Sequence, residues 1–172
     1  MSTTLITAAG YPDLDGVACA IAYAEYLGQK QPDTRYIAKF FNKPQIEPAF
    51  IASELDLLVE VVNEGEISKY DNFILVDMSE PKGLPETLDL DKVLEVIDHR
   101  MFPDYRSFPN AKFRVEPVGA AATQVAEFFY FDNDVQKLAS TKLPGNITDQ
   151  DIFSLHNVVM RKGIIKALKD AE

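Results

Sequence analysis

Residues 72–77 read NFILVD, an unbroken apolar run that stops on a carboxylate. A short β-branched and aromatic run without alternation fits a strand covered on both faces. Outward from it the pattern repeats. KVLEVID, residues 92–98, is a second such strand, and its terminal acid is followed at once by His99 and Arg100. Thr3 to Ala8 is a third, running into YPDLDG at residues 11–16, which carries Asp13 and Asp15. Tyr36 to Phe41 suits a further strand.

Helical patterns fill the gaps. GVACAIAYAEYLGQ, from Gly16, has small and apolar residues at helical spacing and reaches Gly28, a plausible C-cap position. PQIEPAFIASEL, residues 44–55, reads as a short helix, and LLVEVV, 57–62, as a strand or a helix end. GAAATQVAEFFYF, residues 119–131, is a helix opening on small residues. A last helix is predicted over 149–168, with Thr148 and Asp151 as its capping box. Strands alternating with helices imply an α/β fold with an open, mostly parallel sheet and helices on both faces. At 172 residues the chain is read as one domain, 1–172, long enough for a real core.

The net charge of −10 and a pI near 4.7 argue against duplex nucleic acid, which needs a basic footprint. A small phosphorylated ligand stays compatible, because a bound cation inverts the local field. The single cysteine, Cys19, excludes an internal disulfide and suits the cytoplasm. No signal peptide or run long enough to cross a bilayer is visible. Cys19 lies in a small-residue helix and is expected to be buried and inert.

In open parallel sheets, ligands bind beyond the carboxyl ends of the strands. Here Asp13, Asp15, Asp77 and Asp98-His99-Arg100 all follow strand ends. Carboxylates with one imidazole suit Mn2+ or Mg2+, and unpaired buried carboxylates would otherwise take up protons. Asp13, Asp15, Asp77 and His99 are therefore candidate metal ligands. Two ions bridged by Asp77 would clamp a phosphoryl group and activate a water. Asp98 is expected to orient His99, and Arg100 offers a planar fork for phosphate oxygens. Catalytic roles fall to Asp77, His99 and Arg100. Gly119 and Thr123, at the start of a helix, are read either as a phosphate site or as close helix–sheet packing.

The ordered set AAGYPDLDGVACAIAYAEYL, FILVDMSE, VIDHR and PVGAAATQVAEF resembles the motifs of the DHH phosphoesterase superfamily. That superfamily includes manganese-dependent family II pyrophosphatases, nanoRNases, cyclic-dinucleotide phosphodiesterases, single-strand exonucleases and prune-like exopolyphosphatases. The resemblance covers roughly the first three-quarters of the chain. It implies the same four metal ligands, and GNITDQDIF adds Asp149 as a partial match to a later one. This chain departs from many members in having Ala9 where they place a histidine. Its third motif is Asp-His-Arg, as in prune-like members, rather than Asp-His-His. The resemblance also implies a second, C-terminal substrate domain, which is expected to be absent from these 172 residues.

The implied function is a divalent-metal-dependent phosphohydrolase acting on pyrophosphate, polyphosphate or a short oligonucleotide. The alternative is a non-catalytic phosphate- or nucleotide-binding module acting through a partner or a homodimer. A receiver-like domain also gathers acids at strand ends, but it has no Asp-His pair at the next one. Each residue has a plainer reading as well. Asp13 and Asp15 suit a turn beside Pro12 and Gly16. Asp77 suits a strand-end cap and His99 a structural histidine. Asp149 suits the first turn of a helix capped by Thr148, and His156 suits a helix surface.

Overall fold

The structure, a computed structural model, describes residues 1–8, 10–54 and 59–131. Five strands form one parallel sheet in the order β2-β1-β3-β4-β5. They are β1 (Ser2–Thr7), β2 (Thr34–Ala38), β3 (Asn72–Val76), β4 (Val93–Asp98) and β5 (Lys112–Val115). Among the described residues three helices accompany them: α1 (Leu14–Lys30), α2 (Ile46–Glu54) and α3 (Ala121–Phe131). Among the described residues no helix is long and apolar enough to cross a membrane.

Alternation along the strands divides the core in two. Ile6, Ile74, Val76 and Ile97 face α1 and α3, where they meet Val17, Ile21, Tyr23, Ala121 and Val125. Leu5, Phe73, Leu75 and Val96 face the other way, against Val62, Ile67, Tyr70, Leu88 and Phe108. Those last five come from the 3₁₀ segment Glu64–Lys69 and from connecting loops. Among the described residues, therefore, one face carries two long helices and the other is covered mainly by short irregular segments. The strand order reverses at β1, which leads outward to β2 on one side while β3, β4 and β5 follow on the other. Right-handed connections then fall on opposite faces.

Boundaries differ from the sequence reading for local reasons. The first helix starts earlier, at Leu14, because Asp13 caps it: its Oδ1 accepts the N–H of Gly16 at 3.1 Å. It continues through Gly28, which has no positive φ, and ends where Gln31 donates to the Leu27 carbonyl at 2.8 Å. β2 starts at Thr34 and ends at Ala38, while Phe40 bridges to Val61. β5 and the 3₁₀ segments have no counterpart in the sequence reading. KFRV alternates charge with apolar side chains at a sheet edge and gives only a faint signal. Ala9, Thr148, Asp149, Asp151, His156 and the helix predicted over 149–168 lie outside the described residues.

Candidate metal centre

The reversal between β1 and β3 opens a crevice at their carboxyl ends, and the loops that follow these strands deliver the acids. Register keeps the ends level: Thr7 pairs with Leu75, and Val76 with Ile97. One residue on, the Asp77 N–H still donates to the Ile97 carbonyl at 2.8 Å. Asp77 then leaves the sheet with φ of 53°, a left-handed conformation that side chains other than glycine adopt at a cost. The turn aims its carboxylate at the crevice. Gly16 permits the close approach of α1, since a Cβ there would lie 2.7 Å from the Ala8 Cβ and 3.5 Å from Asp77 Oδ2. The loop after β3 leans on the loop after β1 at Gly83 (φ +90°), where a Cβ would meet the Gly10 nitrogen at 3.0 Å.

Asp15, Asp77 and His99 each present a ligand atom, all within 4.8 Å of one another. His99 Nε2 is 3.4 Å from Asp77 Oδ1 and 3.9 Å from Asp15 Oδ2. The other ring nitrogen, Nδ1, lies 3.2 Å from the Val118 carbonyl. A carbonyl only accepts, so Nδ1 carries the proton at that contact, and Nε2 is the ring atom turned toward the two carboxylates. Three donor atoms turned toward one another at these distances are arranged as the shell of a cation would be. Asp77 sharpens the point: its side chain is 7% exposed, and Oδ1 has no hydrogen-bond partner among the described residues. Burial first, then the charge of Asp15, pushes the Asp77 carboxyl up to about 8, against the pull of Arg100. The donor set, two carboxylate groups and one imidazole, fits a divalent ion such as Mn2+.

Each first-loop acid has a second task. Asp13 caps α1 and stands outside the three-residue group. Asp15 accepts the N–H groups of Ala121 and Ala122 through Oδ2 and Oδ1, both at 2.8 Å. The anion at the N-terminus of α3 is thus Asp15 itself, which ties α1 to α3 and fixes one candidate ligand. Gly119 lies in the turn just before α3, and Thr123 gives its N–H to the Ala120 carbonyl at 3.2 Å. Cys19 is buried, its Sγ 3.5 Å from Asp15 Oδ1, and burial followed by the charge of Asp15 pushes its thiol well up.

Asp98 is fully buried. It accepts from Ser79 Oγ at 2.5 Å, from the His99 N–H at 2.8 Å and from Arg100 Nη1 at 3.0 Å. Arg100 Nη1 also donates to the Asp77 carbonyl at 2.5 Å, bracing the left-handed residue from outside. Gln124 of α3 donates to the Asp98 carbonyl at 2.7 Å. Ser79 and Gln124 escaped the sequence reading. Ser79 had a faint signal, two residues beyond Asp77 in the same loop. Gln124 had only its polarity on an apolar helix face.

A likeness to known proteins accompanies this geometry. A Bacillus licheniformis protein named probable manganese-dependent inorganic pyrophosphatase is 32% identical over 168 residues, covering 89% of this chain and 50% of its own length. A Bacillus cereus protein of the same name is 31% identical over 159 residues, with the same coverages. The chain spans about half the length of these curated relatives. The crystal structure of an exopolyphosphatase-related protein from Bacteroides fragilis shares the fold at a TM-score of 0.58 and 13% identity, covering 90% of this chain and 56% of that one. The family model described as DHH family, N-terminal domain, matches residues 3–150, and on that match this chain belongs to the DHH family.

Proposed function

We propose that this chain, read as one α/β domain over 1–172, is a divalent-metal-dependent phosphohydrolase acting on a small phosphorylated substrate, with pyrophosphate as the first candidate and short polyphosphate or an oligonucleotide next. The observation that carries the reading is the buried Asp77 Oδ1, which accepts no hydrogen bond among the described residues, beside Asp15 and His99 Nε2. The pyrophosphatase names of the relatives support the substrate class. With Mn2+ in that group, the ion supplies charge stabilisation for phosphoryl oxygens and makes a bound water more acidic. Asp15, Asp77 and His99 hold it. Asp15 is pre-set by two backbone donors and His99 by the Val118 carbonyl, so little reorganisation is needed when substrate arrives. Arg100, whose side chain is half exposed, turns its remaining donors toward phosphate oxygens. Gly119 and Thr123, at the head of α3, are the further phosphate contacts of this reading. Asp13 caps α1 and stands outside that three-residue group, and Asp149, a partial match to a later ligand of the family, lies outside the described residues. A cytoplasmic location and a homodimer complete the reading.

Phosphate release from pyrophosphate, tripolyphosphate and a dinucleotide, measured with Mn2+ present, tests it. Turnover of one of these is expected. Asp77→Ala should lower it by at least about 100-fold, the scale of losing one preorganised electrostatic group. Tight Mn2+ binding with no turnover of any of the three would favour a non-catalytic phosphate-binding module instead.

A further inference from the structure

We propose that the centre takes one divalent ion, and that the Arg100 guanidinium holds the place beside Asp77 that a second ion would need. The inference rests on the metal-binding reading above and fixes the number of ions. Two groups flank Asp77 Oδ1: His99 Nε2 at 3.4 Å and Arg100 Nη2 at 3.5 Å. The first is a lone-pair donor that joins a cation's shell. The second is a permanent cation. An ion on Oδ1 is favoured beside His99 and repelled beside Arg100.

Arg100 is pinned where it stands. Both protons of Nη1 are committed, one to the Asp77 carbonyl at 2.5 Å and one to Asp98 Oδ1 at 3.0 Å. Asp98 is fully buried and held in turn by Ser79 Oγ and the His99 N–H. Swinging the guanidinium away would strip a buried carboxylate of its cation and free the carbonyl of a left-handed residue. Among the described residues, Asp15, Asp77 and His99 are the one group of three that closes around an ion. Asp13 stands outside that group, with Oδ1 accepting from Gly16 at the head of α1.

The test counts ions with Mn2+ alone. Metal-free chain is titrated with MnCl2, free ion is followed by its electron paramagnetic resonance signal, and the spectrum of the bound ion is recorded at saturation. The wild-type chain should bind one Mn2+ with the spectrum of an isolated ion. Arg100→Lys, which keeps the charge, should also bind one. Arg100→Ala, which removes it, should rise to two and show a spin-coupled pair. Two coupled ions in the wild type would overturn the inference while leaving the hydrolase reading in place, and so would an Arg100→Ala chain that stays folded and stops at one. No binding by the wild type would overturn both. If Arg100→Ala fails to fold, the wild-type and Arg100→Lys counts still decide the ion number.

Discussion

Asp77 combines a left-handed backbone with a buried carboxyl pushed up to about 8. Both features cost stability, and both aim a charged oxygen into the crevice, the usual trade between stability and activity. The cost depends on pH. Without a metal, the folded chain keeps the Asp77 proton between the ordinary value of 3.8 and about 8, while the unfolded chain releases it. Stability from this group is therefore complete below 3.8 and is lost as pH rises toward 8. At about 1.4 kcal/mol per unit the loss amounts to several kcal/mol, a large share of a typical total of roughly 5–15 kcal/mol. Urea melts of the metal-free chain at a series of pH values should show that decline. Asp77→Asn should flatten it and raise stability at pH 8 by about 2 kcal/mol or more, because asparagine tolerates the left-handed turn and carries no charge. A metal-free chain with no decline between pH 5 and 8 would show that Asp77 is not the strained acid described here.

At the scale of elements, the centre depends on how tightly α1 lies against the ends of β1 and β3. Gly16 sets that distance. In Gly16→Ala the new methyl would stand 2.7 Å from the Ala8 Cβ, and neither is the tip of a flexible side chain, so α1 must shift. The expected cost is about 1–3 kcal/mol in thermal or urea melts, offset in part by the better helix propensity of alanine. Since Asp15 and Gly16 are neighbours in the first turn, Mn2+ affinity should fall with it, by roughly 10-fold or more in a calorimetric titration. Unchanged stability and affinity would mean that this close approach does not position the ligands. The elements also show what the sequence could reveal. NFILVD and KVLEVID announced β3 and β4 by their unbroken apolar runs, and the acids at their ends followed from chain order alone. The pairing of Asp15 with the N-terminus of α3, over 100 residues away in sequence, depends on helices meeting across a face, which no local pattern encodes. The same holds for Arg100. Its fork suggested a phosphate contact, whereas its grip on the Asp77 carbonyl depends on a left-handed turn visible only in three dimensions.

For the molecule as a whole, one topological fact organises the rest. The sheet is parallel throughout and reverses its order between β1 and β3, so three separate stretches of chain discharge their polar ends at one rim. Apolar side chains fill both faces of the sheet, and the rim is left for charge. The alternating pattern made the α/β class legible. The way the second face is covered was not, because 3₁₀ turns and loops carry no periodicity. The convergence of Asp15, Asp77 and His99 on one cation is the claim on which the phosphate chemistry and the ion count both depend. Crystals of the full chain grown in MnCl2, with diffraction collected at the manganese absorption edge, test it directly. The account predicts an anomalous peak within bonding distance of Asp15, Asp77 Oδ1 and His99 Nε2. A map with no peak among these three side chains, in crystals that bind manganese elsewhere, would contradict it.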